Sequence, residues 1–362
     1  MLDVQQQCIQ IAAVGDLLLA GGPDARGDLT AQLGALRPLL AGSDIRFANL
    51  ECTLAGKEGL VATEPRVIST PAMVRSIAAA GFDVVCLGNN HAFDALADGF
   101  HRLRELLAEM RIACFGAGDD LAEATAPLVL ERPGGRVAML AGVDESSGPS
   151  HLAGPGRFGV APLDMDRLTG QIRELRDSVQ HVVVSLHWGQ ERLTIPSPRQ
   201  VDQARRLADA GADLILGHHP HVVQGMETIG HAAVIYSLGN FVANTVGFSD
   251  GDALRWNRRE RTGCVLKVRL GTDGVQGLRQ IATFDTGRAI RFNGVGHCHR
   301  RIVRRNRALN RPITSGRYRR RCFWTHSMLP ILRHLQPGAL VRLRWRNVRN
   351  AWRRVRESLS AG

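Results

Sequence analysis

Five clusters of Asp, Glu, Asn and His constrain this chain more than any other feature, because each stands directly after a short apolar run. They are Gly15-Asp16, Asn49-Leu50-Glu51, Gly88-Asn89-Asn90-His91, His187-Trp188-Gly189-Gln190-Glu191 and Gly217-His218-His219-Pro220-His221. The runs before them have the length and composition of buried strands: Ile9 to Val14, Ile45 to Leu50, Phe82 to Leu87, His181 to Leu186 and Asp213 to Leu216. Between these runs the spacing of apolar residues turns helical. Leu29 to Leu40, Ala72 to Ala80, Ala95 to Met110, Leu163 to Arg176 and Val201 to Ala210 read as helices, and Leu96, Phe100, Leu103 and Leu107 form an apolar stripe. Strands alternating with helices predict a layered α/β fold. Three hairpins are expected as well: Pro127–Leu130 with Val137–Val143, Val222–Thr228 with Ala232–Ser237, and Cys264–Leu270 with Val275–Phe284.

In an open α/β sheet, ligands gather outside the carboxyl ends of the strands, so clusters far apart in sequence can meet on one rim. Carboxylate, amide and imidazole donors are those that suit Mn, Zn or Fe. Each cluster alone has a plainer reading: Asp16 as a helix N-cap, His187 as a hydrogen-bonded core histidine, Asn89-Asn90 as a turn pair. Together they point to a metal site. The triplet His297-Cys298-His299 has ligand chemistry but the wrong geometry, since three adjacent residues of a regular element cannot face one ion, and it reads as basic loop.

The charge is divided unevenly. From Arg288 to Gly362 there are 20 arginines, no lysine and one acid, Glu357, a net of +19, whereas the first 287 residues carry 26 basic and 33 acidic side chains, a net of −7. A mildly acidic body is thus followed by a basic extension that is either solvated or bound to something anionic. Leu340 to Val355 mixes apolar and basic residues as an interfacial helix does, and the extension is expected to be dispensable for folding of the body. The seven cysteines form no C-x-x-C pair, a usage that suits a reducing compartment. Neither a membrane-spanning apolar run nor a secretory leader is visible, so a cytoplasmic location, peripheral at the inner face of a membrane, is expected.

The ordered series Gly-Asp, Asn-Leu-Glu, Gly-Asn-Asn-His-x-x-Asp, His-Trp-Gly-x-Glu, Gly-His-His-Pro-His and Tyr-Ser-Leu-Gly-Asn-Phe, over residues 8–245, resembles the CapA family of capsule (poly-γ-glutamate) synthesis proteins. That family is similar in fold to the calcineurin-like metallophosphoesterases. The resemblance implies a core over residues 8–245 and does not reach the tail; the residue pattern adds a closing β hairpin in 246–287, and the composition shift sets off the Arg-rich extension 288–362. It implies a two-metal centre (Mn, Zn or Fe) held by Asp16, Glu51, Asn90, His187, His219 and His221, with His91 protonating the leaving oxygen and Asp94 orienting its imidazole. Position 18 departs from the metallophosphoesterases' Asp-x-His motif, being Leu18, so one metal loses a ligand unless Glu51 or water replaces it, a loss that is usual in the CapA family. Asn240 and Glu191 are candidate substrate-binding residues. The strand around Asn240 either lines the rim or simply ends in a tight turn, and Glu191 either acts as a base or binds an ammonium group.

Three functions remain open on these grounds. One is metal-dependent work on a phosphorylated substrate in the synthesis or export of an anionic polymer. The second is a non-catalytic assembly factor whose tail docks on a membrane-bound synthase or an anionic membrane surface. The third, a nucleic-acid enzyme, has only the arginine enrichment in its favour.

Overall fold

The computed structural model describes residues 8–21 and 28–309, together with Tyr318, Arg320, Cys322 and Trp324. The main elements, in chain order, begin with β1 (Ile9–Leu18), α1 (Thr30–Gly34), α2 (Arg37–Leu40), β2 (Ile45–Leu50), α3 (Pro71–Ala80), β3 (Val84–Cys86), α4 (Leu96–Glu109) and β4 (Ala113–Phe115). They continue with β5 (Leu128–Arg132), β6 (Gly135–Val143), α5 (Met165–Leu175), β7 (His181–His187), α6 (Pro198–Ala210), β8 (Leu214–His218), β9 (Met226–Ile229) and β10 (Ala232–Ile235). The last are β11 (Asn240–Ala243), β12 (Thr262–Gly271), β13 (Gly274–Asp285), β14 (Ile290–Arg291) and α7 (Gly296–Leu309).

Two sheets face each other. The first has the order β14-β13-β12-β1-β2-β3-β4, with β11 beside the far end of β1; the second has the order β9-β10-β8-β7-β6-β5. Strands β1 to β4 are parallel in the first sheet and β6, β7, β8 and β10 in the second. Strand β12 runs antiparallel to β1, and the three expected hairpins supply further antiparallel pairs: β5 with β6, β9 with β10, and β12 with β13. The strand period of two sorts side chains between layers. Ile9, Ile11 and Ala13 of β1 enter the core between the sheets, where they join Phe47, Val84, Met139, Val183 and Leu216, while Ala12 and Val14 face the opposite way. Leu33, Val74, Ile77, Phe100, Leu103 and Leu107 cover the first sheet's outer face. Leu168, Ile172, Val201, Ala204 and Leu207 cover that of the second. The result is helix, sheet, sheet, helix.

Local chemistry explains most boundaries. Helix α3 starts with the Thr70 side chain accepting from the Met73 amide and stops at Gly81, whose φ of 85° is left-handed. Helix α6 opens on a capping box between Ser197 and Gln200. One expected helix, Leu29–Leu40, is instead two short ones, because Pro38 at the start of α2 cannot donate the hydrogen bond that would continue α1.

The first strand also runs further than its apolar stretch, through Gly15-Asp16 to Leu18. Residues 9–14 pair antiparallel with β12, and from Asp16 onward the neighbour on that side becomes β11, paired in parallel. The changeover needs Gly15, since a Cβ there would lie 1.8 Å from the Gly239 carbonyl oxygen. Strand β11 thereby brings Asn240 into register with Asp16.

The composition break at residue 287 is not a packing break. Strand β14 pairs with β13, and α7 buries Cys298 and Ile302 in the core between the sheets and Leu309 in the layer beside α6. Tyr318, also buried, donates its hydroxyl to the Pro196 carbonyl at 2.9 Å. The expectation that everything after Arg288 is dispensable for folding is therefore corrected: the start of the basic extension supplies apolar side chains to the body. Ending the chain at residue 287 is expected to cost about 3 to 6 kcal/mol from Ile302 and Leu309 alone, a fully buried aliphatic side chain being worth about 1.5–3 kcal/mol. Thermal unfolding checks this, and a truncated chain with the parent's Tm would show that α7 adds nothing. The expected interfacial helix, Leu340 to Val355, lies outside the described residues. No helix among the described residues is long and apolar enough to cross a membrane.

Candidate metal centre

The carboxyl ends of the parallel strands of both sheets meet at one place. Asp16 comes from within β1, Glu51 follows β2, Asn90 and His91 stand between β3 and α4, His187 ends β7, and His219 and His221 follow β8. All are buried except Asn90, which is half-buried.

Glu51 is the centre of this group. One ligand atom from each of Glu51, His187 and His219 lies within 4.8 Å of the others, and the same holds for Asp16, Glu51 and His221. Glu51 thus belongs to two three-residue groups. Its Oε1 is buried with no hydrogen-bond partner, yet stands 3.6 Å from His221 Nε2, 3.8 Å from His187 Nε2 and 4.0 Å from His91 Nε2. Ligand atoms about 2 Å from one tetrahedral ion are about 3.4 Å apart, so the separations to His221 and His187, too long for hydrogen bonds, suit shared cations. His187 Nε2 also lies 2.9 Å from Asn90 Oδ1, which brings the amide to the group of Glu51, His187 and His219.

The electrostatics agree with such a site. Burial pushes the Glu51 carboxyl up to about 8. It also lowers His221, but the charges of Glu51 and Asp16 outweigh it and raise that imidazole to about 10. His219, by contrast, is pulled down to about 4 by burial and by His221, and His187 is held well below its usual value by burial and by His219. Neutral imidazoles are the form that ligates metal.

Neighbouring groups fix the ligands. Asp16 Oδ1 accepts from Asn49 Nδ2 at 2.8 Å and lies 3.0 Å from His218 Nδ1, so His218 orients the carboxylate and stands outside both groups. Asn49 also reaches Glu51 Oε2, at 3.4 Å, and Asn89 holds Asn49 in turn, at 3.3 Å. Asn240 Oδ1 lies 2.9 Å from His221 Nδ1, which assigns that nitrogen the proton and turns Nε2 toward Glu51. Trp256 packs its ring 5.1 Å from that of His221. Both His219 (φ 91°) and His221 (φ 55°) have left-handed backbones, a conformation that costs a non-glycine residue about 1–3 kcal/mol and clusters at functional sites.

His91 and Asp94 form a separate pair beside the ligands. Asp94 Oδ2 lies 2.7 Å from His91 Nδ1 and also accepts the Val67 amide at 2.7 Å. With the proton held on Nδ1, Nε2 points to the Glu51 side. Burial lowers the His91 pKa, but the Asp94 charge and hydrogen bond outweigh it and raise the group above its usual value.

Glu191 is half-buried near the same imidazoles. Burial raises its carboxyl, but His221, His219 and Arg192 outweigh it and hold the group below the usual carboxylate range. Arg192, with φ 66°, is ion-paired at 2.6 Å with buried Glu260. Leu18 is buried in the core beside the helices and offers no ligand. The His297-Cys298-His299 triplet is part of α7, with Cys298 turned into the core, and belongs to neither ligand group. Sequence reasoning quoted Asn49 and Asn89 within clusters without giving them a role, and missed Trp256 and Glu260 altogether. Only the asparagines carried a signal, as polar residues inside otherwise apolar strand ends.

Residues 10–245 match the family described as bacterial capsule synthesis protein PGA_cap. The chain belongs to this family. It is similar to the PGA biosynthesis protein CapA of Bacillus subtilis, 30% identical over 237 residues that make up 63% of this chain and 62% of that protein. It is 36% identical over 173 residues to the capsule biosynthesis protein CapA of Bacillus anthracis, covering 47% of this chain and 42% of that one. The chain therefore spans less than two thirds of the length of these relatives. A protein of Mycobacterium tuberculosis named as a probable polyglutamine synthesis accessory protein is 29% identical over 224 residues, 59% of each chain. Among solved structures, a Staphylococcus aureus protein provisionally described as a 5'-nucleotidase superposes with a TM-score of 0.50 at 14% identity, over 81% of this chain and 57% of that one. That likeness concerns the fold, which is the expected layered α/β architecture of the calcineurin-like metallophosphoesterases.

Proposed function

We propose that this CapA family member acts in the synthesis or export of an anionic capsular polymer such as poly-γ-glutamate, as a metal-dependent hydrolase of a phosphate ester. The observation that carries this reading is Glu51, a buried carboxylate shared by two groups of ligands, with an oxygen that no protein donor satisfies. In it, Asp16, Glu51 and His221 hold one divalent ion, and Glu51, Asn90, His187 and His219 hold the other. When bound, such ions supply positive charge to phosphoryl oxygens and make water a nucleophile near neutral pH. His91, as imidazolium, delivers the proton on Nε2 to the leaving oxygen, while its Nδ1–H stays on Asp94, whose charge favours the protonated ring. Asn240 holds His221 in place, and Glu191 takes a substrate ammonium group or a proton at the rim. The relatives named for PGA and capsule biosynthesis support the polymer context.

A second reading, a non-catalytic accessory factor for a membrane-bound synthase, is favoured by Leu18, which leaves one ion a histidine short, and by the M. tuberculosis relative's name. Metal analysis of the purified full chain, followed by a screen of phosphomonoesters and phosphodiesters with Mn, Zn and Fe, separates the two. One to two equivalents of metal with metal-dependent turnover are expected. Stoichiometric metal with no turnover on any ester would favour the accessory reading, and no metal at all would remove both versions of the site.

A further inference from the structure

The first helix of the basic extension has two opposite faces. Cys298, Ile302 and Leu309 lie within about 40° of one another around the α7 axis and are buried. Arg300, Arg304 and Arg307 lie on the opposite side and are exposed. None of these three arginines has a hydrogen bond or ion pair with another described residue, and the segment from Thr286 to Leu309 contains no acid. The remaining arginines of this helix are occupied differently. Arg301 donates to the Arg258 carbonyl and to Thr262 Oγ1, and Arg305 is half-buried near Gly225. A field of one sign surrounds the helix start: partial burial and the charges of Arg258, Arg301 and Arg300 hold His297 below its usual pKa.

The helix is also fixed in place and aimed. Asn306 Oδ1 accepts the Met226 amide at 3.2 Å, and a Cβ on Gly225 would lie 2.5 Å from Leu309 Cδ1. The last turn of α7 therefore abuts the segment that follows His221, at the end of the sheets where the candidate metal ligands gather. We propose that the Arg300–Arg304–Arg307 face of α7 is a docking strip for an anionic polycarboxylate chain. The strip runs about 10 Å along the helix, seven residues at about 1.5 Å each. A polymer with a carboxylate on every repeat can pair with several guanidinium groups at once, and the fork of each suits a carboxylate. A membrane fits less well, because Cys298, Ile302 and Leu309 are turned inward and only the small, half-buried Val303 and Ala308 flank the arginines, too little apolar surface for insertion. The choice of a polycarboxylate rests on the polymer context proposed above, while the strip itself does not depend on any catalytic activity.

The test compares the full chain with R300E/R304E/R307E and with R342E/R344E/R346E, a reversal of equal charge later in the extension. Binding to polyglutamate, to duplex DNA and to vesicles of phosphatidylglycerol with phosphatidylcholine is measured at low and high salt, and metal content is measured alongside. The α7 variant is expected to bind polyglutamate about tenfold more weakly at low salt, a loss that shrinks at high salt. The later variant should lose less, and metal content should stay that of the parent. R300Q/R304Q/R307Q, with a smaller loss in the same order, replaces the reversal if that variant unfolds. The proposal is overturned if the α7 variant binds polyglutamate as the parent does, or if the parent does not bind it. Equal losses on all three anions, or losses confined to DNA or vesicles, overturn it too. Failure of the hydrolase reading would show as absent turnover with polyglutamate binding intact.

Discussion

Replacing His219 and His221 together by alanine is expected to abolish metal binding, taking the protein from one or two equivalents to none. Each residue belongs to a different ligand group, so the double change leaves Glu51 with His187 and the Asn90 amide on one side and Glu51 with Asp16 on the other. Each ion thereby loses an imidazole: one is left with two carboxylates, short of the three or four ligands that hold a transition metal firmly, and the other with one carboxylate, one imidazole and a weakly donating amide. The backbone offers no compensation, because alanine at left-handed φ is strained much as histidine is. Metal analysis after gel filtration reads the result, and a metal-dependent rise in Tm, present in the parent and absent in the variant, gives a second measure. His218→Ala serves as the comparison. His218 contacts Asp16 at 3.0 Å yet lies outside both groups, so that variant should keep its metal, bound at most about 10- to 100-fold more weakly. Stoichiometric metal in the double variant would sink the ligand assignment.

The second large effect is kinetic. His91→Asn is expected to lower turnover of any phosphate ester the protein hydrolyses by about 10² to 10⁴, the usual worth of a general acid, with metal content unchanged. The separation follows from geometry. His91 Nε2 lies 4.0 Å from Glu51 Oε1, but His91 belongs to neither three-residue group, and its Nδ1 is committed to Asp94. Asp94→Asn should cost less, about 10- to 100-fold, since it disturbs the tautomer rather than removing the proton donor. It should also shift the pH profile: the raised His91 pKa depends on the Asp94 charge, so the limb on which His91 loses its proton should move to lower pH. Loss of metal together with turnover in His91→Asn would make His91 a ligand instead.

Much of this molecule is legible one segment at a time. Six-residue apolar runs such as Ile9 to Val14 identify strands because burial on both faces requires it, and Pro133-Gly134-Gly135 marks the turn that lets β5 return as β6. Polar residues at the ends of such runs signal a site, since burying Asp, Glu and His without a purpose is costly. Composition located the basic extension for the same local reason, that a run of like charge cannot form a core. Helix α7 shows the limit of composition: seven arginines between 288 and 309 conceal Cys298, Ile302 and Leu309 at helical spacing, and the apolar stripe, not the net charge, decides where the segment packs.

What the sequence by itself determined was the alternation of strands and helices, the three hairpins, the polar residues at the strand ends and the uneven charge, all of which follow from the chemistry of short windows. Only the tertiary structure decided that Glu51 lies between two pairs of ligands, that Asn49 and Asn89 brace it, that β11 enters beside β1 to bring Asn240 to His221, and that Trp256 and Glu260 close in around the rim. These are relations between segments up to about two hundred residues apart, as Asp16 and His218 are at 202. No local period encodes such distances; they are set when the facing sheets pack Ile11, Phe47, Val183 and Leu216 into one core and the strand ends are carried together with them.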